Sequence, residues 1–217
     1  MIKIALPKGS VQDDVKQFLS ERELEFKGYD REARAYASDA AGESSLFSKQ
    51  FREKDIPIQV SIANYDLGLC GSQWVNEYLA LYPNADMMIL GTLDITEGDL
   101  CVCCSGNETE AASGDEVIKN MSSRGPVRIA TQFPGLAEDW ALQKRIPDFR
   151  IFPLWGAAEA YPPEGAELAV LIVPDDKFLE DNDLWKIETL FEARTFLIAN
   201  KRLFEKKDLS PVLKKLA

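Results

Sequence analysis

The sequence predicts an α/β protein folded as two lobes. Short apolar runs typical of strands alternate along the chain with capped, amphipathic segments typical of helices. With 217 residues and 46% hydrophobic composition, the chain is long enough for two cores of about 100 residues each. A hinge near residue 95 and a return crossing near residue 185 indicate two lobes joined by two strands. Residues 1–95 plus 185–217 form lobe I, and residues 96–184 form lobe II.

The first elements of lobe I are a strand, a short loop and a helix. Residues 2–6 form an apolar run, Ser10 is a suitable N-cap, and acidic residues follow in the first helical turn, where the helix dipole favours them. Such a junction presents backbone N–H groups and the Lys8 side chain to an anion, although a solvated loop lysine has the same pattern. Residues 27–50 are polar and weakly patterned, which predicts a hairpin or a loop.

The later elements follow from apolar runs, glycines, prolines and capping residues. The predicted strands are residues 56–63, 66–71, 87–93, 100–104, 127–131, 150–155 and 166–173, with β-rich segments over 185–200. The predicted helices are residues 73–82 with Ser72 as cap, a segment beginning at Pro134, and a last segment beginning at Ser210. Residues 94–98 separate two strands as a hinge, and residues 105–116 have the composition of a loop.

Residues 155–184 are the segment that the sequence marks for ligand binding. A strand ends at Gly156, a short helix of small residues follows, and the apolar run before Pro174 has the composition of a buried strand. Such a crossover places its loops at the carboxyl ends of strands, where open α/β sheets bind ligands. Trp155 and Trp140 lie close to these elements, and their pattern fits a core, an interface or a ligand platform equally.

Composition excludes several classes of protein. A net charge of −11 and a pI near 4.6 argue against nucleic-acid binding, which needs a basic face. Because the chain has no histidine, any chemistry must use carboxylates, lysine, arginine, a metal ion or positioning alone. The four cysteines are expected to be buried free thiols. Neither a signal peptide nor a membrane-spanning run is expected, which predicts a cytoplasmic protein without a membrane partner.

Several segments together resemble the catalytic subunit of ATP phosphoribosyltransferase, which catalyses the first step of histidine biosynthesis. The matching segments, in the family's order, are IALPKGS (4–10), FREKDIP (51–57), DLGLCG (66–71), VRIATQFPGLAEDW (127–140), GAAEAYPPEGAE (156–167) and ETLFEARTFLIANKRLF (188–204). The resemblance implies a type II periplasmic-binding-protein-like fold with a cleft between the lobes. It also implies the short form of the enzyme, which works with a regulatory subunit similar to a histidyl-tRNA synthetase.

The same resemblance implies substrates and binding residues. The family joins phosphoribosyl pyrophosphate to N1 of ATP with Mg²⁺, and a homo-oligomer is expected. The residues that match the family's binding positions are Lys8, Ser10, Arg52, Gly68, Gly71, Gly156 and Glu159. The first three are expected near substrate phosphates or the nucleotide, the glycines of DLGLCG allow the nucleotide close to the chain, and the last two border the phosphoribosyl site. A solvated Arg52 and a Glu159 that only begins a helix are the alternatives.

Two segments depart from the family's pattern. The family holds the ribose 5-phosphate in a loop of small and hydroxyl residues, but this chain has Asp175, Asp176 and Lys177 within PDDKF. A basic patch of the family is replaced by residues 97–99, Glu-Gly-Asp. Carboxylates repel a phosphate: a unit-charge pair at about 4 Å costs roughly 1–4 kcal/mol at surface-like dielectrics. This cost is comparable with the about 1.5–3 kcal/mol of one charge-assisted hydrogen bond.

Three functions remain open from the sequence. In the first, a divergent transferase binds the 5-phosphate differently, with Mg²⁺ bridging Asp175 or Asp176 to the pyrophosphate. In the second, a non-catalytic paralogue uses the two-lobed fold to bind another small molecule, and a cationic one would suit a site lined by these aspartates and Glu159. In the third, the chain is an inactive subunit that only assembles.

Overall fold

The chain forms two compact α/β units. The computed structural model describes residues 1–31, 37–40, 43–108 and 113–216. Unit 1 comprises residues Met1–Thr96 and Arg194–Ala217, and unit 2 comprises residues Glu97–Ala193. The sequence places the second crossing near residue 185, and in the structure this boundary follows Ala193.

The strands and helices are numbered in chain order. The strands are β1 (Ile2–Lys8), β2 (Ala37–Ala40), β3 (Glu43–Arg52), β4 (Leu67–Gly71), β5 (Met87–Ser105), β6 (Val127–Thr131), β7 (Phe149–Pro153), β8 (Leu168–Val173) and β9 (Leu184–Asn200). The helices are α1 (Gln12–Ser20), α2 (Ile56–Ser61), α3 (Ser72–Leu81), α4 (Gly114–Arg124), α5 (Pro134–Gln143), α6 (Asp176–Asp181), α7 (Lys201–Lys206) and α8 (Ser210–Leu216). Across the described ranges, none of these helices has the length and apolar character needed to cross a membrane.

Unit 1 is built on a mixed sheet with the strand order β2-β3-β1-β4-β9. β1 runs parallel to β3 and β4, whereas β2 pairs antiparallel with β3 and β9 with β4. Because β1 is central, its residues Ile4, Ala5 and Leu6 are fully buried and read as a continuous apolar run. They alternate between faces: Ile4 and Leu6 pack with α1 and α8, and Ala5 packs with α2 and α3.

Unit 2 has the strand order β5-β8-β6-β7. β6 runs parallel to both β7 and β8, and β8 pairs antiparallel with β5. The connection from β7 to β8 therefore passes over β6, as the predicted crossover requires. Thr131 at the end of β6 pairs with both Pro153 and Val170. The carboxyl ends of these three strands consequently meet at one side of the sheet, which we call the carboxyl edge of unit 2.

The prediction of a strand over residues 56–63 is wrong, because this segment forms α2 and a turn. Its apolar residues alternate as they would in a strand. Of these alternating residues, however, Ile56 and Val60 are buried one helical turn apart, whereas Ile58 and Ile62 are 40% and 57% exposed. A proline in the first turn, where no backbone donor is needed, suits the helix.

Two predicted caps are also wrong, and one predicted hinge has a mixed outcome. Residues 94–98 contain the boundary between the units, after Thr96, but β5 runs through them without interruption, so one strand replaces the two predicted on either side. The N-cap of α1 is Val11 instead of Ser10. Ser72 is the first residue of α3, not its cap, and its Oγ accepts the backbone N–H of Arg194 at 3.1 Å, which ties the helix to β9.

The weakly patterned segments have mixed outcomes. β2 and β3 form an antiparallel hairpin, which confirms the hairpin predicted within residues 27–50; residues 32–36 and 41–42 lie outside the described ranges. The predicted loop over 105–116 also falls partly on residues 109–112, which are not described. Its last residues instead begin α4, where Ser113 caps the helix by accepting the backbone N–H of Glu116 at 3.3 Å.

Candidate functional site

The carboxyl edge of the sheet in unit 1 brings two predicted cations together. Lys8 ends β1 and Arg52 ends β3, and the two residues are direct partners in the parallel pairing. Arg52 is exposed, while Lys8 is half-buried. Two cations at the ends of neighbouring strands form a local positive site in a chain whose overall charge is negative.

A buried carboxylate lies beside these cations. Glu53 follows Arg52 directly, is only 7% exposed, and accepts the backbone N–H of Gly71 at 2.9 Å through Oε2. Nearby, the buried Tyr29 hydroxyl donates to the carbonyl of Pro7 at 2.9 Å. Burial, and secondarily the charge of Glu53, raises the pKa of Tyr29. The phenol therefore stays neutral and acts as a hydrogen-bond donor at physiological pH.

The predicted glycines of β4 and Ser10 have different surroundings. A Cβ at Gly68 would come within 2.8 Å of Ile56 Cγ2, so the packing of α2 against β4 requires a glycine there. At Gly71, which is the N-cap of α3, a Cβ would lie 2.5 Å from the side chain of Gln73. Ser10 is exposed in the turn before α1. Gly68 and Gly71 are buried, so of these three residues Ser10 alone is exposed.

Gly156 and Glu159 lie in the turn that follows β7 at the carboxyl edge of unit 2. Gly156 has a φ of +153° and Ala157 a left-handed conformation with φ +56° and ψ +37°. A Cβ at Gly156 would meet no atom within 4 Å, so the backbone conformation, and not packing, requires the glycine. Glu159 is half-buried in the 3-10 turn Ala158–Ala160. The turn therefore offers an open backbone surface beside one carboxylate.

The aspartates of PDDKF begin a helix. Asp175 is the N-cap of α6, and its Oδ1 accepts the backbone N–H of Phe178 at 2.8 Å. Asp176 is the first residue of α6, and both it and Lys177 are exposed. Acids at these positions stabilise a helix start through capping and the helix dipole. The two carboxylates thus have a local structural role in addition to any role in binding.

The second acidic segment lies directly beside the first. Asp99 pairs with Val173 in the antiparallel pairing of β5 and β8. Gly98 approaches so closely that a Cβ there would lie 2.3 Å from the carbonyl oxygen of Val173. Residues 97–99 and 174–176, the two departures from the family's pattern, therefore form one surface at the carboxyl edge. We call this surface the acidic edge.

The whole net charge of the protein belongs to unit 2. Residues 97–193 contain 19 acidic and 8 basic residues, whereas the rest of the chain contains 17 of each. Unit 1 is thus neutral and unit 2 carries the charge of −11. A polyanionic ligand meets net repulsion at unit 2 but not at unit 1, and cationic groups are attracted to unit 2.

The cysteines contribute to the core, as the sequence predicts. Cys70, Cys101, Cys103 and Cys104 are all free and buried. Burial raises the pKa of Cys103 and Cys104 to about 12, so both thiols stay protonated and are poor nucleophiles at neutral pH. Cys101 and Cys103 pack in an apolar cluster of unit 2. Their role in the structure is packing.

The residues proposed for Mg²⁺ fit a particular kind of site. In the described part of the chain, no group of three or more Cys, Asp or Glu residues is arranged to hold a metal ion. Mg²⁺ often uses only one or two protein carboxylates and completes its shell with substrate phosphates and water. Asp175 already accepts one backbone N–H. Asp175 and Asp176 therefore fit an ion that arrives with a diphosphate, and they do not fit one held by protein alone.

Comparisons with known sequences point to one family. The family model described as "HisG: ATP phosphoribosyltransferase" matches residues 52–217. The ATP phosphoribosyltransferase of Moorella thermoacetica is 30% identical over 204 residues, which cover 93% of this chain and 84% of that protein. Against several longer curated relatives of the same name, the chain is 25% to 27% identical and spans only 64% to 66% of their length.

Comparisons with solved structures agree on the fold. The chain resembles a chain of the ATP phosphoribosyl transferase (HisG:HisZ) complex from Thermotoga maritima, with a TM-score of 0.76 at 22% identity, over 100% of this chain and 96% of that one. It also resembles the periplasmic aliphatic sulphonate binding protein SsuA from Escherichia coli, with a TM-score of 0.58 at 16% identity, over 99% of this chain and 67% of that one. These similarities confirm the predicted two-lobed, type II periplasmic-binding-protein-like fold. With the family model and the Moorella relative both matching, the chain belongs to the ATP phosphoribosyltransferase family.

Proposed function

We propose that the protein transfers the phosphoribosyl group of phosphoribosyl pyrophosphate to N1 of ATP. Membership of the ATP phosphoribosyltransferase family is the observation that carries this proposal. The N1 lone pair attacks C1 of the ribose, the C1–O bond breaks, and pyrophosphate leaves with the bonding electrons. The adenine ring bears a positive charge until it loses a proton. This reaction needs positioning and charge stabilisation more than a nucleophilic side chain, which suits a chain without histidine.

The proposed binding residues divide between the units. In unit 1, Lys8 and Arg52 are proposed to bind substrate phosphates, and their pairing at the ends of parallel strands supports this role. Ser10 is proposed to contribute its hydroxyl. In unit 2, Gly156 and Glu159 are proposed to border the phosphoribosyl group. The open backbone at Gly156 supports close approach of a ligand.

The proposed cofactor is Mg²⁺, bound by Asp175 and Asp176 together with the pyrophosphate end of the substrate. Asp175 and Asp176 would hold the ion, which would supply positive charge to neutralise the departing diphosphate. Lys177, in the same turn, is proposed to contact the substrate phosphates, and its positive charge offsets part of the negative charge of the two aspartates.

The proposed assembly includes a regulatory subunit of the HisZ type and more than one copy of this chain. The likeness in fold to the chain in the Thermotoga complex supports the first part of this proposal. A cytoplasmic location is proposed as well, and the four free thiols support it because reducing compartments keep cysteines in this state.

Turnover tests the proposed function directly. When the protein is mixed with ATP, phosphoribosyl pyrophosphate and Mg²⁺, alone or after a HisZ-type subunit is added, we expect phosphoribosyl-ATP to accumulate. The measurement is the absorbance of this product. Arg52→Gln should lower kcat/KM about 10- to 100-fold, the effect of losing one charge-assisted phosphate contact. The matched control is Lys16→Gln, because Lys16 is exposed on α1 of the same unit. No product in either condition, with no heat on titrating phosphoribosyl pyrophosphate, would reject the proposal.

A second candidate function is a non-catalytic binding protein for a cationic small molecule. The acidic edge and the net charge of −11 on unit 2 favour it. A ligand of this class should raise the Tm by mass action. A screen of amines and other cationic metabolites without any thermal shift would count against this alternative. If the screen and the turnover assay both fail, a purely assembling subunit remains.

Removing the two aspartates of the acidic edge should strengthen binding of phosphoribosyl pyrophosphate. We expect the double variant Asp175→Thr, Asp176→Gly to lower the Kd at least about 10-fold, because each carboxylate near a phosphate costs roughly 1–4 kcal/mol. Threonine still caps a helix, so α6 should persist. The measurement is isothermal titration calorimetry without Mg²⁺, which separates repulsion from any metal binding by the same side chains.

The matched control for this double variant lies at the other end of α6. Glu180→Gln with Asp181→Asn removes the same charge from exposed positions of the same helix. We expect it to leave the Kd nearly unchanged. Equal affinities for the wild type and the Asp175→Thr, Asp176→Gly variant would show that this turn does not face the phosphate.

A further inference from the structure

The sequence does not distinguish the roles of Trp140 and Trp155, but the structure places one in the core and the other at the surface. Trp140 is 4% exposed, and its Nε1 donates to Oε2 of Glu188 at 2.9 Å, so it belongs to the core of unit 2. Trp155 is 87% exposed. Tryptophan is highly buried on average in folded proteins, so an indole exposed to this extent has a face available for stacking on a ligand.

Trp155 stands on a backbone that is anchored at the carboxyl edge of unit 2. The preceding residue, Leu154, donates its N–H to the carbonyl of Thr131 at 2.7 Å, which ties the turn to the end of β6. Gly156 and Ala157 follow with positive φ, and apart from its two chain neighbours no atom lies within 4 Å of a Cβ placed at Gly156. Because this turn is proposed to border the phosphoribosyl group, a base stacked on the neighbouring indole would lie close to the ribose carbon that its N1 attacks.

The negative charge of the acidic edge favours the base of a nucleotide over its phosphates. Asp99, Asp175 and Asp176 lie at the same edge and repel phosphates. A neutral purine ring meets no such repulsion and stacks on an indole face. The face of an indole also attracts positive charge. It therefore favours the adenine ring more strongly once N1 has bonded to the ribose and the ring has become cationic.

We propose that Trp155 is a stacking platform for the adenine ring of ATP. The inference rests on the proposed transferase function and adds to it a side chain that contacts the base. Trp155 acts here by direct contact with the substrate ring and takes no part in proton transfer.

Fluorescence and calorimetry with the intact chain test this inference. ATP and AMP should both quench tryptophan fluorescence, because the base and not the phosphates makes the contact. The variant Trp155→Ala should lose most of the quenching and raise the Kd for ATP about 10-fold or more, the usual range for one stacked base. Trp155→Phe should keep part of the affinity. The Kd for phosphoribosyl pyrophosphate should not change in either variant.

A matched control and three contrary outcomes make the test decisive. Leu142→Ala removes another exposed apolar side chain of unit 2, at 59% exposure on α5, and should not affect ATP binding. An unchanged Kd for ATP in Trp155→Ala overturns the inference, as does absence of ATP binding by the wild type. The inference is also overturned if Trp155→Ala dissociates an oligomer and leaves ATP binding intact. Trp155 would then belong to a subunit interface, which is the alternative because it follows β7, the last strand in the order of the sheet. Quenching by ATP without turnover would instead reject the transferase function and keep the stacking site.

Discussion

Replacing Gly98 with alanine should lower the free energy of unfolding by at least about 3 kcal/mol. Gly98 has a φ of +117°, a conformation that costs a residue with a side chain about 1–3 kcal/mol. Its new Cβ would also lie 2.3 Å from the carbonyl oxygen of Val173 and 2.6 Å from Cα of Pro174. These are backbone atoms and cannot rotate away, so β5 and β8 must separate locally.

The matched control for Gly98 lies in the same strand. At Gly91, a Cβ would meet no atom within 4 Å, and φ is outside the left-handed range. Gly91→Ala should therefore change the free energy of unfolding by no more than about 1 kcal/mol, and in the stabilising direction if the backbone tolerates it. Urea denaturation followed by circular dichroism measures both variants. Equal midpoints for the two would contradict the close approach of β5 to the end of β8.

Replacing Asn200 with alanine should destabilise the protein by about 3 kcal/mol. Asn200 is 0% exposed, and its Nδ2 donates to the carbonyls of Val60, Ser61 and Asp86 at 2.9, 3.1 and 3.0 Å. Its Oδ1 accepts the N–H of Leu203 at 3.0 Å and so caps α7. One side chain thus joins the end of α2, the start of β5 and the end of β9, and alanine removes all four hydrogen bonds.

Asn182→Ala is the matched control for this second variant. Asn182 is half-buried and makes one such bond, from Nδ2 to the carbonyl of Phe178 at 2.8 Å. Its loss should cost less than about 1 kcal/mol. Thermal and urea unfolding measure both effects. If Asn200→Ala were as stable as Asn182→Ala, water would have to satisfy the groups that Asn200 binds. The conclusion that Asn200 joins α2, β5 and β9 would then be wrong.

The sequence predicts the buried strands well and the elements at the surface poorly. The apolar runs of β1 and β8 are continuous because both faces of each strand are covered. Residues 56–63 mislead because isoleucines exposed on the outer face of α2 imitate the alternation of a strand. The predicted hinge at residues 94–98 lies at the boundary between the units, but its polar, loop-like composition gives no sign that one strand, β5, continues through it.

The candidate site is predicted in part. The resemblance identifies Lys8 and Arg52, and the pairing of β1 with β3 brings them together. The buried Glu53 is not predicted, because a single carboxylate in a charged segment resembles a solvated charge. The sequence feature that could have identified it is its position between Arg52 and the first apolar residue of α2. The adjacency of residues 97–99 and 174–176 also depends on β5 and β8 pairing, which no local pattern specifies.

Because the charge is unevenly distributed, ligand binding should depend on the salt concentration. With the −11 confined to residues 97–193, mobile cations gather around one half of the molecule and leave the other almost unaffected. At physiological ionic strength the Debye length is about 8 Å, so most of the field that would turn a polyphosphate away fades within a few water layers. At low ionic strength this field extends further, so the affinity for a polyanion should be lower than at high ionic strength.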